Sequence, residues 1–420
     1  MTLRDINHTA KSNFGIVVLG DSPQLDAFGS LRVSSPNSVF DAQLTYGLQP
    51  LLYEQITTGT GGAITYDGVN GYAAMSLTAS SVLASAYMQT FEYFRYQPGR
   101  SQKIVMTGNF GGNTATAGVT KFQGYSDGVN GIEFQVTSTG PQIALLSSTS
   151  QGNQIIPQAA WILDKLDGTG SGVILDLTKT HILVIDFQAL YAGRVRVGFD
   201  IDGQIFYVHE FNNANNSIYP YIRSANLPVR AGLSCIGSAT DTMHHLCASV
   251  ISEGGQSDLL GYEFSASGSV VAASGAMTHI LSVQPSLTHN GFTNRTKFVL
   301  DDFEILNTGT VPIQWSLCLG AAIIGTTAFT AVNPTYSAFS YNTAGTLSGT
   351  PTIVLASSFT PASGSGSHYS ASTTGAPSIR EPITLDHAGN VRALGTISLL
   401  VAGIGGTAQC NATMNWHEIR

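Results

Sequence analysis

Apolar and polar positions alternate along this chain far more often than they follow a helical repeat. The clearest stretch is Arg194-Val195-Arg196-Val197-Gly198-Phe199-Asp200-Ile201, where odd positions are apolar and even positions mostly polar. A period of two puts successive side chains on opposite faces of a strand, which predicts one buried face and one wet face. Asp202-Gly203 follows, a pair that tolerates positive φ at both turn positions, and Gln204–Phe211 runs back as the partner strand. Strands of the same kind are predicted over Met88–Tyr96, Lys103–Gly108, Gly131–Val136, Gln142–Leu146, His181–Phe187, Val229–Ile236 and His244–Ser252. Turn residues separate them at fairly even spacing, which predicts an antiparallel sandwich rather than alternating strands and helices.

The pattern changes at both ends. Before about residue 70 the segments Leu31–Pro36 and Gln49–Tyr53 are extended, punctuated by proline and not clearly hairpinned. This predicts an arm over residues 1–70 that docks on a neighbour or on the following domain. A second β unit is predicted to begin after Glu253-Gly254-Gly255, with strands at Tyr262–Ser267, Thr278–Pro285, Lys297–Asn307 and Pro312–Leu319, and closing strands at Val391–Ala402 and Asn411–Ile419. Thr360–Pro377, rich in Ser and Gly, reads as a loop. The expected fold is therefore all-β: an arm over 1–70, an antiparallel jelly-roll sandwich over 71–255, and a charge-poor β-sandwich over 256–420. The pentapeptide Asp-Gly-Val-Asn-Gly occurs at 67–71 and again at 127–131. Its flanks do not match, so two turns are expected and not a repeat.

Charge sharpens this picture. Only 10% of the 420 residues are charged, against roughly a quarter in ordinary domains. From Ile305 to Ile379 there is no Asp, Glu, Lys or Arg, and Ala393 to His417 is equally free of them. A net charge of −8 and the absence of a basic cluster argue against nucleic-acid binding, which relies on Lys and Arg to neutralise phosphate. No run approaches the ~18 to 20 apolar residues of a membrane span, so no membrane insertion is expected. No basic region with an apolar core marks a signal peptide. Cys235, Cys247, Cys318 and Cys410 form no C-x-x-C pair, which favours reduced thiols over a zinc or redox site. Depletion of charge is also what an interface core shows.

Several short patterns could carry chemistry. Gly20-Asp21-Ser22 after an apolar run, with Asp241-Thr-Met-His244, has the parts of a GDSL-type hydrolase, but that chemistry needs an α/β scaffold and this chain shows no recurrent helices. His244 and His245 with Glu253 could be imagined as metal ligands, yet adjacent strand residues point to opposite faces. Asp200-Ile201-Asp202-Gly203 resembles the start of a calcium loop, but its glycine comes too early and a hairpin explains it. Glu92, Glu133, Asp186 and Glu210 are candidates for a carboxylate pair; surface solvation is the ordinary fate of such residues. Tyr191, Tyr219 and Tyr221 could stack on sugars or sit in a subunit interface. The expectation is that there is no catalytic residue, no cofactor and no bound metal.

Three segments carry a resemblance. Phe28-Gly29-Ser30-Leu31-Arg32-Val33-Ser34 with Phe40-Asp41 and Gln49-Pro50-Leu51-Leu52-Tyr53, then Tyr96-Gln97-Pro98-Gly99-Arg100-Ser101-Gln102, then Gly395-Thr396-Ile397 through Asn415–Arg420, together resemble a group of tailed-bacteriophage virion structural proteins. The resemblance implies a non-enzymatic virion component of the tail-fibre, baseplate or head-fibre kind, assembled in the host cytoplasm. It also implies a concanavalin-like jelly roll in the middle of the chain. Phe28, Leu31, Phe40, Pro50 and Tyr53 would lie on the anchoring arm. The partners expected on this basis are further copies of the chain, most simply as a homotrimer, other virion proteins, and a host cell-surface glycan.

Overall fold

The computed structural model describes residues 25–29, 36–188, 190–254, 261–325, 328–362 and 382–420. Among these the chain is almost entirely antiparallel β, with one short 3-10 turn at Gln158–Ala160. It divides into two compact units. The first comprises Met1–Gln49, Gln55–Gln89 and Phe94–Gln256. The second comprises Pro50–Glu54, Thr90–Tyr93 and Ser257–Arg420.

In chain order, the strands that build the first sandwich are β1 (Pro36–Gln43), β2 (Tyr53–Thr58), β3 (Gly62–Asp67), β4 (Tyr72–Leu77), β5 (Ser85–Thr90), β6 (Ser101–Asn109), β7 (Val119–Ser126) and β8 (Gly131–Thr137). They continue with β9 (Gly140–Leu146), β10 (Gln154–Pro157), β11 (His181–Phe187), β12 (Arg194–Ile201), β13 (Gln204–Asn212), β14 (Val229–Cys235) and β15 (Asp241–Glu253). Sheet 1 runs β13-β12-β11-β6-β15-β4-β3, with β1 also paired to β15. Sheet 2 runs β10-β9-β8-β7-β14-β5-β2. The chain crosses repeatedly between the two sheets, and that alternation makes the sandwich a jelly roll. The inner faces meet through aromatic rings: Phe134 of β8 packs edge-on to Phe199 of β12 at 5.0 Å, and Tyr125 of β7 lies 5.5 Å from Phe187 of β11.

The hairpin expected from alternation is β12–β13, with Asp202 and Gly203 both at positive φ (54° and 79°). Residues 36–70, expected in the arm, instead supply β1–β3 of the sandwich: β1 pairs with β15, some two hundred positions away, which leaves no trace in local sequence, and β3 forms a hairpin with β4. Phe40 is buried opposite Val250 and packs 4.9 Å from Phe94, and Tyr53 is buried at the start of β2. Pro50 sits in the turn before β2. Leu31 lies outside the described residues.

The second unit contains β16 (Tyr262–Ala272), β17 (Thr278–Pro285), β18 (Thr288–His289), β19 (Phe292–Thr293), β20 (Lys297–Asn307), β21 (Ile313–Leu319), β22 (Ile323–Ile324), β23 (Thr330–Ala331), β24 (Phe339–Asn342), β25 (Thr346–Leu347), β26 (Ile353–Thr360), β27 (Ile397–Gly403) and β28 (Ala408–Ile419). Sheet 3 is β16-β28-β20 and sheet 4 is β23-β24-β17-β27-β21-β26. Their shared core includes Phe303, Trp315, Phe339, Met414 and Trp416, with Phe303 edge-on to Trp315 at 5.3 Å. The charge deficit now has an address: no strand of sheet 4 contains Asp, Glu, Lys or Arg. Hydroxyls supply the polar contacts there instead. Ser282 and Ser398 approach at 2.6 Å and Ser286 and Ser340 at 2.7 Å.

Candidate functional site

Alternation on sheet 2 turns Ile132, Phe134, Ile143, Leu145, Ala231 and Leu233 into the core. The intervening residues face outward. Strand register aligns them in a row across the sheet: Gln142 beside Gln135, Gln135 beside Phe122, Phe122 beside Gly232, and Gly232 beside Tyr87. Four inter-strand steps make this row about 19 Å long. Arg230, on the neighbouring row, lies between the aromatics, with its guanidinium carbon 4.4 Å from the Tyr87 ring centre and 4.8 Å from that of Phe122. The turn at Asp127-Gly128 leaves room for it, since a Cβ on Gly128 would stand 2.2 Å from an Arg230 amino nitrogen. The polar end is equally organised. Gln142 Nε2 donates to Gln135 Oε1 (2.7 Å), and Gln135 Nε2 donates to Glu133 Oε2 (2.8 Å). Glu133 faces Arg230 at 3.9 Å. Tyr87, Gln135, Gln142 and Arg230 are all part-exposed, while Phe122 is buried with the Arg230 guanidinium over its ring, so the groups a ligand can reach are one tyrosine, two amides and the guanidinium.

The outer face of sheet 1 is different. Asp186 and Arg196 form an ion pair at 2.5 Å with both side chains fully buried. Ser101 Oγ and Tyr207 Oη donate to the same carboxylate at 2.6 and 3.1 Å, and Arg196 stacks on the Tyr207 ring at 4.3 Å. The segment Leu25–Gly29 of this chain lies over that pair, and Leu25 and Ala27 are buried there. That face is therefore occupied from within.

The residues singled out from sequence fall in several places. Tyr191 and Tyr219 are 46% and 50% exposed on the loops after β11 and β13, and Tyr221 is buried, its hydroxyl donating to the Gln188 carbonyl (3.0 Å). Burial pushes the Tyr221 phenol pKa upward. Its main-chain N–H donates to Tyr191 O (3.0 Å), which joins the two loops. Of the three, Tyr221 cannot touch a ligand, because no face of it reaches solvent. The four candidate carboxylates do not pair with one another. Glu133 meets Arg230, Asp186 meets Arg196, Glu210 meets Arg194 at 3.7 Å, and Glu92 meets Lys297 at 3.1 Å.

Asp241 and His244 form no dyad. Asp241 is bound by Lys121 at 2.6 Å, while His244 stacks on Tyr72 at 4.1 Å. Burial raises the Asp241 pKa, but hydrogen bonds from Lys121 and the Thr116 N–H outweigh it and the net direction is down. Ser22 lies outside the described residues. His245 points the other way from His244, into the core beside Gln123. Asp164, Asp167 and Asp176 are each engaged by nearby backbone N–H groups of their own loops, and no group of three or more His, Cys, Asp or Glu able to hold a metal occurs among the described residues. Ser282 and His279 come within 2.8 Å, but both are buried in the core of the second unit, where no substrate can reach.

Sequence reading missed Tyr87, Phe122, Gln135, Gln142 and Arg230. They are scattered over five strands and only the register brings them into line.

Fold and surface thus define an antiparallel jelly-roll protein with an aromatic and amide row on one outer face. No family model matches the chain, and no curated protein matches it. Solved structures similar to it include an endo-1,3-β-glucanase from Streptomyces sioyaensis, at 12% identity and TM-score 0.36, over 52% of this chain and 97% of that one. A putative β-glucanase from Mycobacterium abscessus matches at 12% identity and TM-score 0.35, over 51% and 100%. The carbohydrate recognition domain of Emp47p matches at 10% identity and TM-score 0.30, over 51% and 96%. Likeness of this degree says nothing about activity or ligand.

Proposed function

We propose that this chain is a non-enzymatic glycan-binding protein that recognises saccharide on the outer face of sheet 2. The observation that carries the reading is the part-exposed set Tyr87, Gln135 and Gln142 with Arg230, whose guanidinium is held over the Tyr87 ring and the buried Phe122 ring. Sugar rings present C–H faces that stack on aromatics and hydroxyls that bond to amides and guanidinium, and a rigid surface offering both binds them without first paying to organise itself. The ion-paired state of every candidate carboxylate fits binding better than hydrolysis, which needs a carboxyl group kept protonated as general acid. A printed array of bacterial surface glycans tests the reading. The parent chain should bind a subset, Tyr87→Ala and Arg230→Gln should lose at least tenfold in affinity, and Tyr46→Ala, at a residue 94% exposed elsewhere, should bind normally. Silence of the parent on all glycans, or equal binding by Tyr87→Ala, would refute it.

A second reading concerns where such a module works. The sequence resemblance supports a tailed-phage virion component that contacts the host surface, and the charge-free sheet 4 supports assembly through apolar and hydroxyl contacts. Immunogold labelling of intact particles with antibody to this chain tests it; unlabelled particles would exclude it.

A further inference from the structure

Asn-Gly pairs occur at Asn70-Gly71, Asn130-Gly131 and Asn290-Gly291. Such a pair can convert itself, because glycine has no side chain to shield its main-chain nitrogen from the asparagine Cγ. The fold treats the three differently. Asn130 is buried, and its Oδ1 accepts from Ser148 N (3.1 Å), Ser148 Oγ (3.1 Å) and Arg223 N (3.2 Å), which fixes the amide. Asn70 is exposed, but Asp67 holds both reacting groups: Asn70 Nδ2 donates to its Oδ2 (2.9 Å) and Gly71 N to its main-chain carbonyl (2.8 Å). Asn290 and Gly291 are both exposed and form the two-residue turn between β18 and β19, at φ 50° and 81°. Among the described residues no hydrogen bond engages the Gly291 N–H. The Asn290 amide nitrogen lies 3.2 Å from His289 Nε2.

We propose that Asn290 is a self-modification site, converting to aspartate and isoaspartate with His289 as proton donor. The Gly291 nitrogen gives up its proton to water and bonds to Asn290 Cγ. In the tetrahedral adduct the amide nitrogen becomes a basic amine, and an imidazolium beside it hands over the proton that lets it leave as ammonia. The bond from Cγ to that nitrogen breaks, a five-membered imide remains, and the ring recovers its proton from water. Water then opens the imide at one carbonyl or the other, so the sum is asparagine plus water to acid plus ammonia, with no change of oxidation state. Two features beyond the free N–H carry the choice of Asn290. The strands flanking its turn have only two residues each, so little pairing opposes the motion that brings Gly291 N onto Cγ. The leaving nitrogen is also the atom that meets the histidine, where the proton is needed. The product places a carboxylate at the tip of the hairpin. In the isoaspartyl form an extra main-chain carbon enters the turn and spoils the pairing of His289 with Phe292. This inference is independent of glycan binding on sheet 2.

Peptide mapping of the aged full chain decides it. The purified protein is held in neutral buffer for several weeks, sampled at intervals, digested and read by mass spectrometry with electron-transfer fragmentation, which separates isoaspartate from aspartate. Conversion at Asn290 should run at least tenfold faster than at Asn70, with Asn130 unchanged. It should fall at least severalfold in His289→Gln while Asn70 keeps its rate. In urea, where no fold protects them, Asn70 and Asn130 should convert as readily as each other. Equal rates at Asn70 and Asn290 in the folded chain, or faster conversion at Asn70, would overturn the site. An unchanged rate at Asn290 in His289→Gln would overturn the proton donor.

Discussion

Lowering the pH from 6.5 to 5 should weaken the first sandwich by about 3 kcal/mol, and two histidines in its core account for the loss. His181 Nε2 donates to Gln123 Oε1 at 3.0 Å, and Gln123 Nε2 donates to His245 Nδ1 at 3.4 Å. The second bond needs a neutral His245, since a proton on its Nδ1 would face the amide N–H. Burial pulls the pKa of His181 down to about 3 and that of His245 to about 4, from an ordinary 6.5. Below pH 6.5 the unfolded chain therefore binds protons that the folded one refuses. The stabilisation is complete well above 6.5 and falls with pH, the slope reaching about 1.4 kcal/mol per pH unit for each ring below 6.5, until the folded values are reached. Over these 1.5 units the pair loses about 3 kcal/mol, a large part of a typical domain's stability. Burial also lowers the pKa of His209 and His244, which adds loss in the same direction, and that of His279, which does the same for the second unit. The comparison with His181→Gln isolates one ring. Hydrogen exchange on peptides from β6, β11 and β15 reads the opening free energy of this unit alone. The variant should lose about 2 kcal/mol less than the parent between pH 6.5 and 5. Equal losses in both would refute the reasoning.

Other outcomes follow from the same contacts. Asp186→Asn leaves Arg196 buried without its counter-charge and should cost about 3–5 kcal/mol in urea unfolding, far more than a surface pair; a loss under about 1 kcal/mol would mean that the pair is hydrated. Burial pushes the Cys318 and Cys410 thiols up to about 11, so at pH 8 a thiol reagent should label the half-buried Cys247 first and leave these two nearly untouched in the folded chain. Sedimentation at micromolar concentration should give a trimer. If sheet 4 supplies its contacts, molar salt should leave it intact, because there are no formal charges there to screen; a monomer, or dissociation by salt, would contradict this.

Local pattern reached the fold wherever a short apolar run is bounded by turn residues. Thr278–Pro285, Lys297–Asn307 and His181–Phe187 were legible residue for residue, because β-branched, leucine and aromatic residues cluster there between polar, turn-forming stretches. β7 was not, since its sequence Val-Thr-Lys-Phe-Gln-Gly-Tyr-Ser hides an inward Lys121, bound to Asp241, and an inward Gln123, bound to His181. The pairing of β1 is illegible locally because its partner β15 is remote, so residues up to 70 read as an arm. The candidate site was the least legible part. Each of its side chains looks like an ordinary outward residue of its own strand, and its meaning comes from lateral register across β9, β8, β7, β14 and β5. Tyr191 and Tyr219 were recognisable as loop tyrosines, but burial of Tyr221 depends on its contact with the β11–β12 loop and could not be read from composition.

The central claim is that sheet 2 binds a glycan and leaves it whole. Titration calorimetry with the glycan selected on the array, followed by chromatography of the recovered saccharide, tests both halves together. Saturable binding by the parent, at least tenfold weaker binding by Tyr87→Ala, and saccharide recovered at its original length are the predicted results. Equal affinity in the two proteins, or shortened saccharide, would contradict the claim.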